Sequence, residues 1–241
     1  MNEADVKKFA IETIKEIAPQ IYKDLFSPSV GEIGDVDKNI IKTFRFLFAG
    51  FDIAAAYQDR FQNWVKHIAE HIPKGNLQQG SLEISGRSFE ALKWVEKDSL
   101  LESMFLNLIT ASMDKDRSNS AHPAFVHYLK ILSPDEAKIL LFLKGSPLVE
   151  ASLREEEKLG GNWIKCELLD LNMDIGDLNF PDNFFVYIDN LTSYNLVNYD
   201  SPNNNTQVIE DKDDINIIEC HFKYKLSEFG KLFSKACMPG A

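Results

Sequence analysis

What the chain lacks bounds it first. It has three cysteines, Cys166, Cys220 and Cys237, and no Cys-x-x-Cys pair. An odd, widely spaced set builds no short disulfide framework and fits a reducing compartment, where thiols stay free. Cations are in the minority: 26 Lys and Arg stand against 37 Asp and Glu, a formal charge of −11. Such a field repels phosphate, which argues against indiscriminate binding to nucleic acid or anionic lipid. Long apolar runs are missing as well. The most apolar windows, Phe44–Tyr57 and Leu100–Met113, are broken by Arg45 and Asp52 and by Glu102 and Asn107. A membrane span needs roughly 20 uninterrupted residues, so both windows read as buried core helices. The stretch Met1–Lys8 has no basic segment leading into an apolar one, so no signal peptide is expected. The expectation is a cytoplasmic protein.

What is present is enough apolar residue, 44% of 241, to bury a core in one large domain or two small ones. Val6, Phe9, Ala10, Ile14, Ile17 and Ile21 recur at helical spacing over 5–26, with Pro19 set to kink or end that helix. Ser27–Gly34 is a turn-rich connector. A long helical stretch over 36–72 is stopped by Pro73 and Gly75, and another helix is expected near 87–96 after a loop or extended piece at Gly80–Gly86. Ser99 and Glu102 have the spacing of a capping box that opens a helix to Met113, and Ser133-Pro134-Asp135-Glu136 repeats that signature. His122-Pro123 opens the helix between them, with Phe125, Val126, Leu129 and Leu132 as its buried stripe.

Beyond 145 the spacing predicts helix over 147–159, a short strand over Trp163–Leu171 and a helix begun by Pro181. Ile218, Cys220, Phe222, Tyr224 and Leu226 alternate with Glu219, His221, Lys223 and Lys225, the period of a half-buried strand. Ser227 caps a closing helix. That order resembles a winged helix-turn-helix. The expected fold is mainly α with an α+β C-terminus: an all-helical domain over 1–130, then a winged-helix-like domain over 131–241.

No catalytic centre emerges. Gly-x-Ser-x-Gly is absent, Gly160-Gly161 lacks the lysine of a phosphate loop, and Cys220 and His221 are strand neighbours pointing to opposite faces. His67 and His71 have the spacing of a metal-binding pair but no evident third ligand, so they read as exposed helix-end histidines. No catalytic, metal-binding or cofactor-binding residue is assigned, and no cofactor is expected. Tyr57, Asp59 and Arg60 form a polar cluster after Ala54-Ala55-Ala56, where small residues allow close helix packing. An inter-helix salt bridge through Asp59 or Arg60 is the simpler reading and a ligand contact the other. Asp114 and Arg117 lie in a charged segment that reads as a solvated loop or a contact surface. Nucleic-acid binding runs into charge: residues 131–241 hold 10 basic and 19 acidic side chains, and Asp182–Asn190, the would-be recognition helix, has two aspartates and no cation.

Taken in order, four stretches resemble the bacterial abortive infection alpha family: Ser29–Gly34; Ala54–Phe61; Met104–Leu108 leading to Met113–Lys115 and His122–Val126; and Leu132–Ala137. Tyr187–Leu191, Leu226–Gly230 and Ala236-Cys237 are similar to that family's ending. The resemblance implies a bacterial cytosolic protein of phage defence and transfers no active site. The expected function is therefore non-enzymatic antiphage defence through protein contacts or self-association. The alternatives are a winged-helix DNA-binding regulator and an effector that perturbs the membrane through the amphipathic stretch near 5–21, with no transmembrane segment in either case.

Overall fold

A computed structural model describes residues 55–73, 75–146, 148–158, 162–200, 206–212 and 215–240. The expected helix over 5–26, the connector Ser27–Gly34 and most of the helix over 36–72 lie outside the described residues. The chain divides into two units: residues up to Ile131 together with Lys235–Ala241, and Leu132–Ser234.

The first unit is helical, built from α1 (Ala55–Glu70), α2 (Leu82–Leu92), α3 (Leu100–Met113) and α4 (Ala124–Ile131), with a 3-10 turn at Ser118–Ser120. Its centre is α3, buried at every residue from Met104 to Met113. A helix apolar nearly all round can only be covered on all sides. Its three inward polar groups are each paired: Asn107 Nδ2 donates to the Cys237 carbonyl at 3.1 Å, Thr110 Oγ1 to Leu106 O and Ser112 Oγ to Ile109 O. Pro73 and Gly75, with φ +85, end the α1 region as expected. By contrast α2 starts earlier than the sequence predicts, because Ser81 sits at its N-cap and Gly86 is absorbed into the helix.

The second unit is α+β. It runs α5 (Pro134–Gly145), β1 (Val149–Lys158), β2 (Asn162–Leu171), a 3-10 turn (Pro181–Asn183), α6 (Phe184–Ser193), β3 (Val197–Asp200), β4 (Thr206–Lys212), β5 (Ile215–Leu226) and α7 (Glu228–Cys237), whose last residues group with the first unit. The strands form one antiparallel sheet in the order β2-β1-β5-β3, with β4 also pairing β5.

Residues 149–158 are strand, not the helix predicted over 147–159. Val149, Ala151 and Leu153 are buried while Glu150 is exposed and Ser152 and Arg154 half-exposed. That is a period of two, and β1 is held on both sides, by β2 and by β5. The glutamate run favours helix locally, but ladders on both sides outweigh a propensity worth a few tenths of a kcal/mol per residue. A β-hairpin thus stands between α5 and the next helix, where a winged helix needs a second helix. The mainly α architecture with an α+β C-terminal part is what the structure has. β5 alternates as predicted, with Cys220 and Tyr224 buried and His221 and Lys225 exposed.

Candidate functional site

The polar face of the sheet is assembled by register. In the β1–β5 ladder Arg154 faces Glu219, Ser152 faces His221 and Glu150 faces Lys223. All three positions are bonded: Arg154 Nη2 to Glu219 Oε1 at 3.0 Å, Ser152 Oγ with His221 Nδ1 at 2.7 Å, and Lys223 Nζ to Glu150 Oε1 at 2.6 Å. A register shift between Ser152 and Leu153 sets Asp170 of β2 opposite Ser152. The result is a shallow groove of about 410 Å³ lined by Glu150, Ser152, Asp170, Asn172, His221 and Lys223 among others.

Chemically, the Ser152–His221 pair can pass a proton, and the groove offers donors and acceptors of both signs. Acyl transfer would also need amides free to hold an oxyanion. β1 is flanked on both sides, and at the groove the Glu150 N–H donates to Asn172 Oδ1 at 2.9 Å. The groove can hold a polar group. Sequence reasoning missed it because Ser152 meets His221 only once 149–158 is a strand.

In the first unit, Arg60 is placed as an inter-helix partner. Its Nη2 donates to Glu102 Oε1 at 2.7 Å and to the Val95 carbonyl at 3.0 Å, and its guanidinium lies 5.1 Å from the Trp64 ring centroid. Trp64 Nε1 reaches the same oxygen at 2.8 Å, and the Asp98 N–H donates to Glu102 Oε2 at 2.6 Å. Burial alone would raise the Glu102 pKa, but the donors from Arg60, Trp64 and Asp98 outweigh it and hold the carboxyl below its usual range. Ser99 accepts the Glu102 N–H as a cap should, yet the Glu102 carboxylate serves this hub instead of the Ser99 amide. The hub anchors the turn after α2, where Asp98 has φ +60 and Trp94 stands 87% exposed. Tyr57 and Asp59 lie on α1, and their side chains fall outside what is described.

Asp114 is not solvated. It is 2% exposed, pairs in an isolated bridge with Leu77, and accepts the Asp116 N–H at 3.0 Å. Its burial follows from α3, whose core position carries the next residue inside; Arg117 is half-buried in the turn that follows. The structure does not bring Asp114 or Arg117 to Arg60 by any described contact. The rings of His67 and His71 stack at 4.1 Å, and burial, then the neighbouring His71, lowers the His67 pKa. Among the described residues no three His, Cys, Asp or Glu side chains gather to hold a metal.

A second carboxylate hub went unread in the sequence. Asp135, 2% exposed, accepts the Asn179 and Phe180 N–H groups at 2.8 and 3.0 Å, the Asn179 amide at 3.0 Å and the Tyr187 hydroxyl at 3.1 Å. Lys138 lies 3.7 Å away. Burial works against its charge, but these donors prevail and its pKa falls below the ordinary value. The loop it pins presents Phe180 at 65% exposure.

No described helix is long and apolar enough to cross a membrane. Compared with known proteins, no curated sequence and no solved structure matches the chain. The model of one family, described as abortive infection alpha, matches residues 55–237, which takes in both carboxylate hubs and the groove. That match spans most of the chain, and the protein belongs to the abortive infection alpha family.

Proposed function

We propose that the protein acts in abortive infection, limiting phage spread through contacts with other proteins and without chemistry of its own. Family membership supports the defence role. The contact role rests on one observation, the 87% exposed Trp94 beside a turn fixed by the buried Arg60–Glu102 pair. A large aromatic held out on an anchored backbone loses little entropy on binding, which is how contact hot spots are built.

Phage plating on a host with and without the gene tests the first part. Fewer plaques, with infected cultures lost at high phage input and surviving at low input, are expected. Equal plating would overturn the defence role. Trp94→Ala tests the second part: it should abolish protection while leaving the thermal midpoint unchanged. DNA binding is the weaker reading, since the segment from Cys166 through Asp211 contains no lysine or arginine, whereas groove recognition begins with phosphate contacts.

A further inference from the structure

We infer that the groove on the sheet is a receptor for a guanidinium cation, presented by an arginine side chain of a partner protein. This gives the partner a chemistry, and rests on the contact-based reading above. Three rows of side chains cross the polar face of the sheet. In one, Lys223 is bonded to Glu150 at 2.6 Å, and the Asn172 amide is engaged at both ends, Oδ1 by the Glu150 N–H and Nδ2 by the Leu148 carbonyl. In another, Arg154 is bonded to Glu219 at 3.0 Å. Both of these rows are matched within the chain, and their cations are engaged. The row between them, His221, Ser152 and Asp170, is not matched. Ser152 and His221 bond each other at 2.7 Å, but the Asp170 carboxylate accepts only the neighbouring Leu171 N–H at 2.9 Å, and among the described residues no cation pairs with it. One uncompensated negative charge therefore lines the groove of about 410 Å³.

That charge sets the sign of the ligand. An anion would meet Asp170 with Lys223 and Arg154 already paired, and the segment from Cys166 through Asp211 supplies no other lysine or arginine. A cation is attracted instead, the more so by a chain of formal charge −11.

The acceptors set its shape. When the Ser152 hydroxyl donates to His221 Nδ1, its oxygen keeps lone pairs for a second donor. Ser152 and Asp170 are directly opposed in the β1–β2 ladder, so two acceptors stand side by side on adjacent strands. A guanidinium spreads its N–H groups over a rigid planar fork and reaches both at once. An ammonium carries its donors on one strongly hydrated atom and gains less from the pair. The bulge in β2 favours a side chain over a bare ion. Leu169 is the residue skipped by the register, between Asp170 opposite Ser152 and Leu168 opposite Leu153, and it is 40% exposed next to the carboxylate residue. An arginine lays its methylene stem on apolar surface of this kind while its head stays among polar groups.

The probe is the capped tripeptide acetyl-Gly-Arg-Gly-amide, titrated into the isotope-labelled full chain and followed by backbone amide chemical shifts. Saturable shifts centred on Ser152, Asp170 and His221 are expected. The lysine counterpart should bind several-fold more weakly, and the citrulline counterpart, of similar shape but uncharged, should not bind. Asp170→Asn should weaken the arginine peptide by about tenfold or more. Glu83→Gln, on α2 and paired with Arg87, should leave it unchanged. Circular dichroism confirms that each variant is folded. The site is overturned by an arginine peptide that gives no saturable shift, by lysine or citrulline peptides that bind as well, or by an Asp170→Asn variant of unchanged affinity. Methylguanidinium that binds where the peptide does not overturns the partner side chain as its source. Phage plating separates the two readings: peptide binding without protection removes the defence role and leaves the site standing, while protection without peptide binding does the reverse.

Discussion

Two carboxylates, Glu102 and Asp135, each fix pieces of chain far apart in sequence. Each is buried and each is held ionised by donors that outweigh the desolvation, so both have folded-state pKa values below their unfolded ones. The sign of the consequence follows from linkage. A depressed carboxyl contributes stability that is complete above its unfolded pKa, roughly 4, and is lost as pH falls through the folded value. Urea unfolding between pH 7 and pH 3 should show the wild type weakening below about pH 5, with Asp135→Asn showing a shallower acid dependence. Removing one partner of a buried ionic hub typically costs about 3–5 kcal/mol, and Glu102→Ala should fall at the lower end because Arg60 keeps some water contact. Tyr187→Phe, which deletes one of the bonds to Asp135, should cost about 1 kcal/mol. The sequence marked Glu102 as a capping-box residue, which is half its role, and held Asp135 only as an interior position of the Ser133–Glu136 box. Their other partners, Arg60 and Trp64 or Asn179, Phe180 and Tyr187, sit dozens of positions away, and no local spacing reveals them.

At the scale of elements, the signals that survived into the structure were those completed within one turn. The α5 capping box is reciprocal, Ser133 and Glu136 each accepting the other's amide, with Pro134 in the first turn. Ser133→Ala should lower stability by about 1 kcal/mol in a denaturant titration. The α6 C-terminus is equally local. Asn195 takes the left-handed conformation, and Leu196 N–H and Asn195 N–H return to the Leu191 and Thr192 carbonyls. The segment Leu226–Gly230, which carried part of the family likeness, has a physical reason once folded. Ser227 Oγ accepts the Gly230 N–H at 2.8 Å, and a Cβ on Gly230 would stand 1.9 Å from the Leu196 carbonyl oxygen. Glycine is required there by the approach of backbone to backbone. Gly230→Ala should cost more than the helix-propensity gain of about 1 kcal/mol returns, and a raised thermal midpoint in that variant would refute the close approach. β1 is the element the sequence misassigned. Its glutamates suit a helix, and only the strands on either side make it extended.

For the molecule as a whole, the charge of −11 has two effects. Self-repulsion opposes compactness, so raising ionic strength from low values to about 0.15 M should raise the thermal midpoint; a fall would mean that surface ion pairs such as Arg154–Glu219 outweigh the repulsion. The charge is also uneven, and the segment from Cys166 through Asp211 has no lysine or arginine, which disfavours contact with phosphate. Composition, caps, the alternation of β5 and the burial of α3 were determined by the sequence itself, because each depends on side chains within a few positions of one another. The strand identity of β1, the Ser152–His221 groove and the two carboxylate hubs were decided only by tertiary structure. Each of these needs a partner supplied by a distant segment, and a hydrogen bond or ladder between distant segments leaves no period in the sequence to read.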